Sequence, residues 1–424
     1  MPRLTLDEAR DLLPQLDELR PVFDHLVAAS QPDPARTWSG SGRLGTAGAR
    51  LVATGSLGGA AAQIAEEQAA RLGEVYAAAA RALVALEAGD RGGSARALLD
   101  AAAIEEQHDR QDRAEAYAAS AYRIARDGKD AGSAALSLRR WARASRALGK
   151  LPEALDRYVR AYEAGRAISD AKGAAEAAVG AGNVLEDQGR WGEAAEWYRS
   201  ALQALDGIDA PLPERWHAQL CLHIVARSRG SIEESLAWLE RASESAAAFE
   251  PETSRPFLMN ARGQLAMARG DFAEAEQHLR SALASTFGAR ARVTIRLNLA
   301  ETLLAQSRAL DAAEQARDAE REAIVAGLVP KLPEVYRLLG RIASADGDVD
   351  AFVLFERALA LIRERGLPAL EEAQTLQAYA EAEARRGDAS AASELRRQAL
   401  DRFEALGINH LRTDWADVYG PSMP

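Results

Sequence analysis

Cysteine occurs once in the 424 residues, as Cys221, so no intrachain disulfide and no cysteine-rich zinc site can form. Stability must therefore come from packing. Aromatic residues make up only 6% of the chain, which excludes a core built on bulky rings. Strand-favouring Val, Ile, Thr, Tyr and Phe are sparse, and no window alternates apolar and polar residues long enough to suggest a sheet. No run reaches the roughly 18 apolar residues that a membrane span needs. The N-terminal MPRLTLDEARDLL carries acids where a signal peptide needs an apolar stretch, so a cytoplasmic protein is predicted. An excess of basic residues is missing too: 52 Lys and Arg face 63 Asp and Glu, a net charge of −11. General nucleic-acid binding, which needs a basic surface, is not expected, and neither is a membrane partner.

What is present favours helices. Hydrophobic residues account for 48%, much of it alanine, and Ala, Leu, Arg and Glu are all good helix formers. The length exceeds a single ordinary core, so several domains or one elongated array are expected.

A repeat decides for the array. The pattern G-x4-A-x3-(aromatic or Leu)-x2-A appears as GKLPEALDRYVRA ending at Ala161, GRWGEAAEWYRSA ending at Ala201 and GDFAEAEQHLRSA ending at Ala282. Fainter copies extend it to Ala121, Ala161, Ala201, Ala242, Ala282, Ala319, Ala358 and Ala399, in steps of 40, 40, 41, 40, 37, 39 and 41 residues. Seven residues earlier stand Ala114, Ala154, Ala194, Ser235, Ala275, Ala312, Ala351 and Ala392. Each unit reads as two helices, A and B, joined at a helix-ending glycine: Gly149, Gly189, Gly230, Gly270, Gly347 or Gly387, with Asp109 and Ser307 in its place twice. Small residues seven apart on one helix face let a neighbouring helix approach closely. Between them Tyr158, Tyr198, Leu239, Leu279 and Phe355 are expected to fill the groove toward the next unit. Helix A carries its own small position at Ala142, Gly182, Gly263, Ala300, Gly340 and Ala380, which His223 breaks.

These residues resemble the tetratricopeptide repeat family over about residues 93 to 406. The family repeat is shorter, so the period near 40 implies longer helices and is similar to the long-repeat bacterial forms found in peptide-sensing regulators. The resemblance implies an all-α fold, a right-handed superhelical solenoid of about eight hairpins, preceded by an N-terminal helical element.

The predicted organisation is a helical element at 1–30, a Gly/Ser-rich loop at 31–59, a long capping helix at 60–92, the repeat array at 93–406 and a C-terminal cap and tail at 407–424. Chemical motifs add little. The glycines of Gly40-Ser-Gly-Arg-Leu-Gly45 spell a dinucleotide fingerprint, but no strand precedes them and no βαβ unit surrounds them. His217 and Cys221 lie one helical turn apart, while His223 points elsewhere, so a zinc site with three or four convergent ligands is not expected. The other histidines are scattered. No catalytic grouping, metal or cofactor is called for.

The informative surface is the face of the A helices, which in stacked repeats lines a groove wide enough for a helix or extended peptide. Arg139, Arg143 and Arg146 recur there at helical spacing, flanked by Arg140. Guanidinium groups bind carboxylates with two parallel bonds, so these residues suit an acidic side chain, a C-terminal carboxylate or a phosphate. Equivalent positions give Asn183, Asn260, Asn298, Arg337 and Arg341, with Glu186, Asp187, Glu301 and Glu381 making the face mixed in sign. The resemblance implies a non-enzymatic scaffold or adaptor binding a protein or peptide segment. A second reading is a peptide-responsive regulator of the Rap type, which also places helices before its repeats.

Overall fold

The computed structural model describes residues 74–406, apart from 76, 109, 209, 211, 249, 250 and 287. The segments expected at 1–30, 31–59 and 407–424, the start of the 60–92 helix and the turn at Asp109 lie outside the described residues. Among the described residues the chain is all-α with no strand. Sixteen α-helices run in order from Arg91 to Ala405, with a single 3-10 turn between two of them. A further helix passes through 77–87 and ends in a turn at 88–89. The chain forms two compact units, 1–180 and 181–424.

In the first unit, α1 (Arg91–Gln107) pairs with α2 (Gln111–Asp127), α3 (Ala131–Ala147) pairs with α4 (Leu151–Ala167), and α5 (Ala171–Asp187) begins. Each A helix here opens on an aspartate whose carboxylate accepts the N–H three residues on: Asp90 from Gly93 at 2.8 Å, Asp130 from Ser133 at 3.0 Å, and Asp170 from Gly173 at 2.8 Å. Such caps contribute about 1 kcal/mol each. The Ser133 N–H holds the Asp130 carboxyl below the usual carboxylate range. The core joins Leu83 and Leu86 of the preceding helix to Leu98 and Leu99 of α1 and to Tyr117, Ala121 and Ile124 of α2.

In the second unit, α6 (Trp191–Ala204) is followed by four further hairpins and the closing pair. These are α7 (Pro213–Ser228) with α8 (Ile232–Ala247), α9 (Pro251–Arg269) with α10 (Phe272–Ala284), and α11 (Ala289–Ala305) with α12 (Ala309–Val325). The 3-10 turn Val329–Lys331 then leads into α13 (Leu332–Ala345) with α14 (Asp350–Arg365), and the chain ends on α15 (Ala369–Arg386) with α16 (Ala389–Ala405). From α7 to α15, successive A helices lie against one another more extensively than successive B helices do. The A faces thus form the inner layer of this unit.

The alanine register is a packing register. All eight alanines from Ala121 to Ala399 are 0% exposed, because each sits where a neighbouring helix leaves no room for a longer side chain. The turn glycines adopt the left-handed backbone that ends an A helix, with φ +72° at Gly189 and +80° at Gly270, and Ser307 takes the same conformation at φ +61°.

The larger residues between the alanines pack on two sides, against their own hairpin and, as expected, toward the next unit. Tyr198, Leu279 and Phe355 press on the small position of their own hairpin: a Cβ on Gly263 would stand 2.7 Å from Leu279, one on Gly340 2.9 Å from Phe355, and one on Gly182 would overlap the Tyr198 ring. Leu279 also shares a buried cluster with Val293, Ile295 and Leu297 of α11, and the Phe355 ring stacks on Tyr379 of α15 with centroids 5.2 Å apart. In α3 that position is Ala142, and the Tyr158 ring reaches Gly180 of α5 in the next hairpin.

Candidate partner-binding face

Each unit presents an A-helix face, and the expected site residues divide between them. In the first unit Arg139 is largely covered, with Nε 3.2 Å from Glu176 and a terminal nitrogen 3.4 Å from Asp170, the residue that caps α5. Arg139 thus joins neighbouring A helices. Arg140 donates to Glu106 at 3.0 Å. Arg143 stays open, 64% exposed and 3.8 Å from the same Glu106 carboxylate. Burial raises the Glu106 pKa, and the two arginines only partly offset it. Burial also pushes the Tyr158 hydroxyl up, while the charges of Arg143 and Arg146 act the other way. The three arginines are therefore not an equivalent triad: one is tied into the wall and Arg143 is the open one.

In the second unit the asparagines link repeats. Asn298 donates from Nδ2 to Asn260 Oδ1 at 2.8 Å, joining α11 to α9. Asn183 Oδ1 lies 2.9 Å from the Tyr198 hydroxyl and 3.7 Å from Cys221 Sγ. Arg337 and Arg341, one turn apart on α13, reach in opposite directions: Arg337 to Glu371 of α15 at 2.7 Å, Arg341 to Glu301 of α11 at 2.6 Å. Burial works against the charge on Arg337, but Glu371 and Glu334 outweigh it and hold its pKa up. Lys331 donates to Glu334 at 2.8 Å, and each holds the other in its charged form.

Two features of this face were not read from the sequence. One is a cleft of about 420 Å³ at the N-terminal ends of α9 and α11, lined by Pro256, Phe257, Asn260, Arg290, Thr294 and Ile295. Phe257 is 45% exposed, and its ring lies 6.1 Å from that of Trp216, which is buried. The other is Arg227, in the last turn of α7. Its Nε is enclosed without a hydrogen-bond partner, and burial draws its pKa down while Glu186 and Glu301 restore only part of the loss. Extending the register one turn past the small position would have found it, since Arg146, Glu186 and Arg227 recur 40 and 41 residues apart.

Among the described residues, no three His, Cys, Asp or Glu side chains stand close enough to hold a metal ion, and no helix is long and apolar enough to cross a membrane. His217 stacks on Trp216 with ring centroids 3.8 Å apart.

A family model described as a tetratricopeptide repeat matches residues 133–206. Comparison with curated proteins finds no match. Among solved structures, a Rap protein complexed with competence and sporulation factor superposes with a TM-score of 0.61 at 14% identity, over 87% of this chain and 98% of its own. A tetratricopeptide repeat protein from Parabacteroides merdae gives 0.41 at 14% identity, over 68% of this chain and 93% of its own. Human IFIT1, solved as a dimer with PPP-AAAA, gives 0.46 at 14% identity, over 93% and 98%. At 14% identity the overlap with the Rap protein is one of fold. With the repeat register and the packed helix hairpins in agreement, residues 133–206 match the tetratricopeptide repeat family and the chain shares the fold of a tetratricopeptide-repeat solenoid.

Proposed function

We propose that the protein is a non-enzymatic scaffold that holds a segment of a protein or peptide partner on the A-helix face of residues 181–406. The observation that carries this reading is the cleft beside Phe257: about 420 Å³, with a largely apolar lining and the Asn260–Asn298 pair on the same face. A side chain of the partner entering it would bury apolar area worth about 1.5 to 3 kcal/mol, and the exposed Phe257 ring would anchor it. Asn260, Asn298 and Arg341 offer polar contacts along the chain. In the first unit Arg143, with Arg146 nearby, offers a second surface suited to acidic groups. The net charge of −11 supports a protein partner over a nucleic acid. We place the protein in the cytoplasm of a bacterium, without a cofactor, and assign residues 1–92 to a cap or an effector element.

The test is capture from lysate of the native cell on the immobilised full chain, wild type against Phe257→Asp. Specific proteins or peptides retained by the wild type and lost with the variant, at equal melting temperature, are expected. Equal recovery on both would remove the cleft from the binding surface.

A second reading, a peptide-responsive regulator, is supported by the fold shared with the Rap protein over nearly all of that chain. It differs in one measurable respect: hydrogen exchange in residues 1–92 would change when a peptide occupies the face, and in a passive scaffold it would not.

A further inference from the structure

We infer that Arg227 is the receiving group for a side-chain carboxylate of the bound segment, an aspartate or glutamate that the partner carries across the A-helix face of residues 181–406. This rests on the scaffold reading and names the chemistry of its partner.

The other partly buried arginines of the unit have acceptors: Arg215 donates to the Leu205 and Ile208 carbonyl oxygens at 3.0 and 2.9 Å. Arg337 has Glu371 at 2.7 Å and Arg296 has Asp318 at 3.0 Å, whereas among the described residues Arg227 has no acid within 4.0 Å. Its Nε is enclosed and lacks an acceptor. The two acids whose charge reaches it are already engaged: Glu186 lies 2.9 Å from the Tyr198 hydroxyl, and Glu301 accepts from Arg341 at 2.6 Å. An enclosed Nε without an acceptor costs free energy, and burial of the side chain lowers its pKa.

The planar fork of an arginine offers two parallel N–H groups that match one carboxylate. A single negative charge suits the place better than a phosphate, because Glu186 and Glu301 would repel a dianion. The A-helix layer also continues past Arg227 through α9 and α11, so a bound chain runs on beyond this point. A side-chain carboxylate is therefore favoured over a chain terminus.

The experiment uses the full chain and a library of C-terminally amidated decapeptides of randomised sequence, selected on the immobilised wild type. Retained peptides should be enriched in Asp or Glu at one fixed position. Resynthesised with Asn or Gln there, they should bind at least about tenfold more weakly. The same loss is expected for the parent peptides on Arg227→Gln, with no further loss when both changes are combined, and Arg227→Lys should restore part of the affinity. The peptide arm uses unaltered protein, so it stands even if the variant folds poorly. Retained peptides without acid enrichment, unchanged affinity on Arg227→Gln, or binding that needs a free C-terminal carboxylate would each overturn the inference and leave the scaffold reading intact. A wild type that retains no peptide overturns both.

Discussion

His223 breaks the small-residue rule of its helix, Ser235 replaces the alanine of its own, and in the folded chain they meet. The His223 Nδ1 lies 3.0 Å from the Ser235 carbonyl oxygen and 2.9 Å from its hydroxyl, while the hydroxyl lies 3.2 Å from the His223 carbonyl. A pattern break on one helix is thus compensated by the serine on the next. The opposite ring nitrogen, Nε2, is enclosed with no partner, so adding a proton there would bury an uncompensated charge. Burial is the largest cause, the neighbouring Arg227 adds to it, and the His223 pKa falls to about 4 even though the Ser235 carbonyl acts the other way. An unfolded histidine titrates near pH 6.5, so between about 6.5 and 4 the unfolded chain binds the extra proton. The contribution is complete above pH 6.5 and is lost as the pH falls toward 4, by about 3 kcal/mol in all. Denaturation of the wild type from pH 7 to 4.5 should show this slope, and the double variant His223→Ala/Ser235→Ala should lack it. Parallel pH profiles would refute the assignment.

At the scale of helices and hairpins, the glycine of helix A and the ring of helix B form one device. The Tyr198 ring occupies the space where Gly182 would carry a Cβ, and its hydroxyl sits 2.9 Å from both Asn183 and Glu186. Gly182→Ala should therefore destabilise by about 1 to 3 kcal/mol through overpacking, despite the better helix propensity of alanine. Adding Tyr198→Leu should recover most of that loss of Tm. If Gly182→Ala raised Tm, propensity would be the stronger effect and the contact of little weight. The hairpins, the turn glycines and the alanine faces were legible because packing repeats with the chain, at intervals near 40 residues. The aspartate caps at 90, 130 and 170 keep the same step and went unread, though the signal was present. The candidate face was less legible. The residue types on the A helices were visible, but pairing was not: Arg139 and Arg337 find acids on neighbouring helices, and Arg227 does not. Which cation meets which acid depends on the offset between stacked repeats, which a single helix does not encode. The cleft was hidden for a related reason, since it arises where the N-terminal ends of α9 and α11 leave space around an exposed Phe257.

At the scale of the molecule, stacked repeats hold together mainly through nearest neighbours, so a local fault is expected to stay local. The second unit has one contact that departs from this rule. Trp191, at the start of α6, packs against the apolar cluster of Leu359, Leu376, Ala399 and Phe403, contributed by α14, α15 and α16. The contact joins segments far apart in sequence, and ordering so long an intervening chain gives it an entropic cost that only a large apolar side chain offsets. It also gives α16, the last described helix, a partner besides α15. Trp191→Ala should therefore leave the helical circular dichroism signal nearly unchanged while lowering protection against hydrogen exchange in α15 and α16. The hairpin α9–α10, which shares no residue with that cluster, should keep its protection. A loss spread evenly over residues 181–406 would mean that the unit unfolds as one body, and a loss confined to α6 would mean that the distant contact adds no stability.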